Sequence, residues 1–158
     1  MAVWRELRKA GAVSLQQATW ALPARREFLE ALSRTVSLVE QAGGEALVFE
    51  AAGRDEATAA RLEALFTEAR EAEWTEFLAE CGRFGEEIQK EIRTEKFTSA
   101  ELDEEEQSLE RLRRWFREIR SRDVLMSPSQ GAAELKLKEC IEALEAFAER
   151  VYQEGAMS

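Results

Sequence analysis

Apolar residues recur every three or four positions through most of the chain after Asp55, and this spacing restricts the possible folds more than any other feature. Residues 55–94 contain no proline, and only Gly82 and Gly85 interrupt the pattern. Side chains three and four positions apart share one face of an α-helix, so the spacing predicts one long amphipathic helix. The residues that define its apolar face are Phe77, Cys81, Phe84 and Ile88.

Two further helices are predicted to follow. Thr98 is the expected N-cap of the first, with Glu101 completing a capping box. Their apolar positions predict helices over about 99–122 and about 131–153. We expect all three helices to pack as an antiparallel bundle. The apolar positions are Leu102, Leu109, Leu112, Phe116 and Ile119 in one helix, and Leu137, Ile141, Leu144, Ala148 and Val151 in the other.

The first third of the chain has a different pattern. Residues 2–10 and 24–42 show helical spacing, and the segment VSLQQATWALP between them alternates apolar and polar residues as a strand does. The alternation changes phase between Leu15 and Trp20, which predicts a tight turn or a bulge. The apolar run at residues 46–49 has the length of one further strand.

This order of elements is that of a ferredoxin-like βαββαβ unit without its first strand. We therefore predict an α+β, mostly helical protein. Residues 1–52 are expected to form the incomplete ferredoxin-like unit, with a small sheet of two to three strands. The helical region 55–153 is expected to pack with it as one domain. Because an open sheet exposes unpaired backbone edges, we expect a second copy of the chain to complete it in a homodimer.

Composition limits the chemistry of the chain. It has no histidine and no glycine-rich phosphate loop, so the commonest general base, metal ligand and phosphate cradle are missing. We therefore expect no enzyme, no catalytic residue, no metal and no cofactor. Cys81 and Cys140 fall on apolar helix faces and are expected to be buried. The consecutive carboxylates at 103–106 are interpreted as complementing the helix dipole. No apolar run approaches the ~20 residues of a membrane span, so we expect a cytoplasmic protein without membrane contact.

Several motifs in the chain occur together in one known family. They are VWRELRKAGAVSLQQATWALP, then GGEALV at residues 43–48, and then KFT, AEL, EEE, RLRRW and RD in order between Lys96 and Asp123. In these motifs the chain resembles the N-terminal domain of the ChrB family, bacterial proteins associated with chromate resistance. Residues 1–52 resemble more weakly the middle domain of PaaX-type repressors. The resemblance implies a regulatory protein of a chromate-resistance operon, with promoter DNA and the chromate oxyanion as partners.

Two groups of basic residues are the candidate binding sites for DNA or an oxyanion. The formal net charge is −10, but residues 1–50 hold six basic and six acidic groups, whereas 51–158 hold 16 basic and 26 acidic groups. A polyanion would therefore meet the first third of the chain or a local basic stripe. The first group flanks VSLQQATWALP and consists of Arg5, Arg8, Lys9, Arg25 and Arg26. The second group consists of Arg111, Arg113, Arg114, Arg117 and Arg120, followed by Arg122.

Two functional hypotheses follow. Guanidinium groups suit phosphates and tetrahedral oxyanions, which favours transcriptional control through DNA binding and chromate-sensitive release. The alternative for both basic groups is a solvated surface, with the arginines of the predicted helix paired to neighbouring glutamates. The protein would then be a dimerisation or protein–protein interaction module without DNA binding of its own.

Overall fold

A computed structural model of the chain describes residues 2–157. The protein is mostly helical, with one small antiparallel sheet, as predicted. It divides into two compact units, one up to Ala69 and one from Arg70 onward. No helix in the described part of the chain combines the length and apolar character needed to cross a membrane. The elements are α1 (Ala2–Ala10), β1 (Val13–Gln16), β2 (Thr19–Ala21), a 3-10 turn (Arg26–Phe28), α2 (Leu29–Gln41), α3 (Glu56–Arg93), α4 (Ser99–Arg122) and α5 (Ser129–Met157).

The segment VSLQQATWALP forms a β-hairpin. Val13 of β1 lies opposite Ala21 of β2, and Ser14 lies opposite Trp20. The next pair joins Gln16 to Thr19, so one extra residue is accommodated between Ser14 and Gln16. An extra residue in one strand is a β-bulge, and it moves the following side chains to the other face of the hairpin. The phase change in the sequence is thereby explained, and the prediction of a tight turn or a bulge is confirmed.

Helices α1 and α2 flank the hairpin in sequence and pack on each other. Gly11 ends α1 with a φ of 90°, a conformation that glycine adopts without strain. Leu7 of α1 and Phe28, the residue directly before α2, are both buried. The Nε of Arg34 in α2 donates a hydrogen bond of 2.7 Å to the Glu6 carboxylate in α1. An apolar contact surface and one polar link therefore hold the two helices together.

The strand predicted at residues 46–49 is not formed, and that prediction is wrong. These residues belong to neither a helix nor a strand. Leu47, Val48 and Phe49 are 72%, 55% and 81% exposed, so the run contributes little to a core. A strand requires a neighbouring edge with which to share backbone hydrogen bonds. The sheet in the described residues has two strands, β1 and β2, so the ferredoxin-like order stops after α2.

Helices α3 and α4 run antiparallel in the second unit. Trp74 of α3 packs against Phe116, late in α4, with ring centroids 5.3 Å apart. Glu91, near the end of α3, lies beside Glu105, early in α4. The Oγ1 of Thr98 accepts a hydrogen bond of 3.2 Å from the amide of Glu101, which confirms the predicted cap of α4.

Helix α5 completes the bundle parallel to α3. The amide of Ser129 donates a hydrogen bond of 3.0 Å to the Glu71 carboxylate. Further along both helices, the Cys140 thiol donates a hydrogen bond of 3.5 Å to the carbonyl oxygen of Cys81. The three helices thus alternate in direction, as predicted. Their shared core includes Trp74, Phe77, Cys81, Ile88, Leu109, Phe116, Ile119, Ala133, Cys140, Leu144 and Phe147.

Candidate functional site

Positive charge on α4 is concentrated in its second half. Leu112, Phe116 and Ile119 face the core, which leaves the other positions of this segment on the flanks and outer face of the helix. Six residues among 111–122 are arginine. The negative end of the helix dipole lies at the same end and favours these cations. The core positions and the dipole together explain why the arginines can gather here.

Arg113, Arg117 and Arg120 share one flank of α4, because steps of four and three residues return to the same side of a helix. The guanidinium of Arg120 lies 5.3 Å from the centroid of the Phe116 ring. Arg117 lies 3.5 Å from a carboxylate oxygen of Glu110, and both side chains are more than half exposed. Exposed pairs of this kind contribute little stability, so Arg117 can exchange its partner at small cost.

Arg111 and Arg114 lie further round the helix. The Nη2 of Arg111 donates a hydrogen bond of 2.9 Å to Ser108 Oγ. Arg111 also lines an open groove of about 540 Å³ between α3 and α4. Arg114 is exposed and makes no ion pair or hydrogen bond with another described residue. The guanidinium of Arg114 is therefore available to an external anion without first breaking a contact.

Arg122 has a structural role instead. Its side chain is 13% exposed. Its Nε and Nη2 donate hydrogen bonds of 3.0 and 2.7 Å to Glu73 Oε1. The same Glu73 carboxylate lies 2.8 Å from the Nε of Arg70. A guanidinium that donates two hydrogen bonds to one carboxylate makes one of the stronger polar contacts in proteins. Arg122 is therefore not part of the exposed basic surface.

Asp123, the second residue of the RD motif, is the polar centre at the end of α4, and the sequence assigned it no role. It is 3% exposed. Its Oδ2 accepts hydrogen bonds from Trp74 Nε1 at 2.8 Å and from Gln130 Nε2 at 3.1 Å. Its Oδ1 accepts from the Oγ and the amide of Ser127 at 2.8 and 3.1 Å. One carboxylate thereby joins α3, the end of α4 and the start of α5. The available signal was an aspartate directly after a helix and four residues before a serine.

The basic residues of the first group lie in the first unit and are all exposed. Arg5, Arg8 and Lys9 share one face of α1 because they are three and four positions apart. The guanidinium of Arg8 lies 4.4 Å from the centroid of the Trp4 ring. Arg25 and Arg26 follow the hairpin at the start of the 3-10 turn. The structure therefore brings three of the five together on one helix face and places the other two in a separate segment.

Both cysteines are buried, as predicted. Contact with Cys140 and burial hold the pKa of the Cys81 thiol well above its usual range. Attack on an oxidant or a metal requires the thiolate, so Cys81 is suited to packing rather than to chromate reduction.

Three carboxylates come together between α3 and α4, which the sequence pattern did not indicate. The carboxylate oxygens of Glu87, Glu91 and Glu105 lie within 4.8 Å of one another. Burial, reinforced by Glu87 and other nearby carboxylates, raises the pKa of Glu105 to about 7. Burial and the neighbouring Glu101 also raise the pKa of Glu91. The interpretation of residues 103–106 as complementing the helix dipole does not account for the burial of Glu105.

The sequence did contain a signal for these two buried glutamates. Glu105 stands three residues after Leu102 and four before Leu109, and Glu91 stands three after Ile88. Both therefore occupy positions where the helical pattern requires an apolar residue.

Comparison with protein families identifies the family to which the chain belongs. Residues 1–157 match the family described as Protein ChrB, N-terminal. The chain belongs to this family. No curated protein matches it significantly, and no solved structure does. Membership of the ChrB family associates the chain with chromate resistance as a regulatory protein.

Two of the motifs on which the resemblance to the ChrB family was based have clear structural functions here. In KFT, Thr98 caps α4. In RD, Arg122 binds Glu73 and Asp123 binds Trp74 across the bundle. The RLRRW motif is different, because it places Arg111, Arg113 and Arg114 at the surface or the flank of α4 around a half-buried tryptophan. The arginines of RLRRW thus have no structural explanation of the kind that KFT and RD have.

Proposed function

We propose that the chain acts in transcriptional control of a bacterial chromate-resistance operon and that the exposed arginines of α4 contact the DNA backbone. The observation that supports this most is the basic surface formed by Arg111, Arg113, Arg114, Arg117 and Arg120. Among the described residues, the side chains of Arg113, Arg114 and Arg120 make no ion pair or hydrogen bond. Arg117 is held only by a weak exposed pair. The guanidinium group of arginine can donate two parallel hydrogen bonds to the oxygens of one phosphate.

The charge distribution restricts how DNA would lie on this helix. Asp103, Glu104 and Glu106 are exposed in the first turns of α4 and would repel a phosphate backbone. Contact would therefore be confined to the second half of the helix, from Arg111 onward. A small number of phosphate contacts gives modest affinity with strong dependence on salt.

The first basic group provides a further candidate contact in the same proposal. Arg5, Arg8 and Lys9 present three positive charges on one face of α1, and Arg25 and Arg26 add two in the following segment. Variants in each group separate the two contributions, because the groups belong to different units of the chain.

A titration of promoter DNA from the operon at two salt concentrations tests the proposal. We expect salt-dependent, sequence-dependent binding by the wild type. Replacing Arg114 and Arg117 with alanine should weaken binding and reduce the salt slope by about 0.9 for each phosphate that is no longer neutralised. Arg83→Ala is the matched control, because Arg83 is an exposed arginine on α3 that already pairs with Glu80. Absence of any complex even at low salt would contradict the proposal.

Chromate is the proposed effector, since a tetrahedral oxyanion suits the same guanidinium groups. Chromate should raise the melting temperature of the wild type, and Arg114→Ala or Arg117→Ala should abolish the increase. Sulfate at equal ionic strength controls for general salt effects. An unchanged melting temperature with chromate would contradict the proposal that this chain binds chromate.

The second candidate function is a dimerisation module that lacks independent DNA binding. The exposed apolar residues Leu47, Val48 and Phe49 favour it, because a contiguous apolar run in water is typical of an interaction surface. We expect Phe49→Ser to shift a homodimer towards monomer in sedimentation experiments. Leu135→Ser, at an exposed leucine of α5, is the control and should leave the assembly unchanged. A monomeric wild type at high concentration would exclude a homodimer.

A further inference from the structure

The three glutamates between α3 and α4 are arranged to face one point. Glu87 and Glu91 are four residues apart on α3 and therefore share a face of that helix. Glu105 approaches from α4, which runs in the opposite direction. Their oxygen atoms lie within 4.8 Å of one another. The cluster therefore forms only when α3 and α4 pack together in the bundle.

Two of the three carboxylates are buried without adequate compensation. Glu91 is 3% exposed and Glu105 is 5% exposed. The Oε2 of Glu91 is inaccessible to water and has no hydrogen-bond partner among the described residues. A buried carboxylate without a partner is costly, and the cost grows when a second one lies beside it.

The surrounding charges do not supply the missing partner. Lys90 lies 3.4 Å from Glu87, the most exposed of the three glutamates, and both side chains are about half exposed. Lys96 acts on Glu91 by charge alone, without a direct ion pair. Glu101 and Glu104 add negative charge nearby.

The geometry and the donor set indicate which ligand would satisfy the cluster. Oxygen ligands of one cation lie about 2.0–2.6 Å from it, so oxygens on opposite sides of the ion are separated by roughly 4–5 Å. The oxygens of the cluster all lie within 4.8 Å of one another, so none is too far apart to share one cation. A site made only of carboxylate oxygens suits hard cations such as Mg²⁺, Mn²⁺ or Ca²⁺ better than Zn²⁺ or Cu²⁺. Glu87 and Glu105 also line the groove of about 540 Å³, which offers an entry path and room for water ligands.

We propose that Glu87, Glu91 and Glu105 form a binding site for one hard divalent cation, which links α3 to α4. The ion would give the Oε2 of Glu91 the partner it lacks and would neutralise the mutual repulsion of the carboxylates. This proposal stands apart from DNA or chromate binding, because it uses other residues and the opposite half of α4.

Titration of the chelator-treated protein with Mn²⁺ tests the site. The electron paramagnetic resonance signal of free aqueous Mn²⁺ disappears on binding, so bound and free ion are counted directly. We expect one ion per chain and an increase in melting temperature at saturation. Glu91→Gln and Glu105→Gln preserve shape but remove a charged ligand, and each should weaken binding at least tenfold. Parallel titrations with Mg²⁺ and Ca²⁺ measure competition for the same site.

The matched controls are glutamates next to the cluster. Glu86→Gln and Glu106→Gln change an exposed carboxylate on each helix and should leave Mn²⁺ binding unchanged. Circular dichroism establishes that each variant folds, which is expected because the glutamine substitutions relieve repulsion in the metal-free protein.

Two results would overturn the proposal. One is the absence of specific Mn²⁺ binding to the wild type at about 1 mM, the weak end of biological calcium-type sites. The other is binding that Glu91→Gln and Glu105→Gln leave intact. If these variants only stabilise the protein, with or without the ion, the carboxylates share a proton and the site is not a metal site.

Discussion

Replacement of Asp123 with asparagine tests whether this carboxylate anchors the three helices of the bundle. Every partner of Asp123 donates a hydrogen bond to it, namely Trp74, Ser127 and Gln130. Asparagine has one acceptor oxygen and one NH₂ group, so at least one donor must face another donor. The Gln130 amide can rotate and offer its oxygen, whereas the indole N–H of Trp74 cannot become an acceptor.

The expected loss follows from these contacts. A buried donor without a partner costs about 1–3 kcal/mol, and the remaining bonds lose the additional strength, about 1 kcal/mol each, that a charged acceptor gives. The total is a decrease of about 2–5 kcal/mol in the free energy of unfolding. This is a large fraction of the ~5–15 kcal/mol that stabilises a typical domain.

Urea denaturation, followed by far-ultraviolet circular dichroism, measures this loss. Glu118→Gln is the control, since Glu118 is an exposed acid on the same helix and should change stability by less than about 0.5 kcal/mol. In a double-mutant cycle, Trp74→Phe and Asp123→Asn should be less than additive, because both remove the same hydrogen bond. A free energy of unfolding for Asp123→Asn equal to that of the wild type would refute the role assigned to Asp123.

Three further predictions concern other buried groups. In chelator-treated protein, the pKa of Glu105 in the folded state is about 7, which is higher than its ordinary value of 4.5. The free energy of unfolding should therefore fall as pH rises from 4.5 to about 7, by at most about 3 kcal/mol. Glu105→Gln should flatten that part of the stability profile; an identical slope in the variant would contradict it. Cys81 and Cys140 should react with DTNB only when the protein unfolds, whereas rapid reaction of the native protein would show that they are accessible. Arg122→Lys should lower stability by about 1–3 kcal/mol, because lysine cannot reproduce the two-point contact with Glu73; unchanged urea denaturation would contradict it.

The helices and most of the core could be predicted from the sequence. The apolar spacing from Phe77 to Ile88 predicted the face of α3 that is buried in the structure. Thr98 identified the start of α4, and the phase change after Leu15 identified the bulge of the hairpin. These features depend on local periodicity, capping and turn geometry, which nearby residues determine.

The strand at residues 46–49 could not be decided from the sequence, and predicting it was wrong. Apolar, β-branched composition gives a segment the capacity to form a strand, but a strand exists only beside a partner edge. The described residues of the first unit provide no third strand for this purpose. Phe49 remains exposed as a result.

The sequence by itself determined which segments are helical, which faces they bury and where positive charge gathers on α4. Only the tertiary structure decided what the polar residues at these faces do. Asp123 became an anchor because the bundle brings Trp74 to it from 49 positions away in sequence. Glu91 and Glu105 became a cluster because antiparallel helices place their carboxylates together. Hydrogen bonds and charge interactions act over a few ångströms, so their partners are set by packing and not by sequence separation.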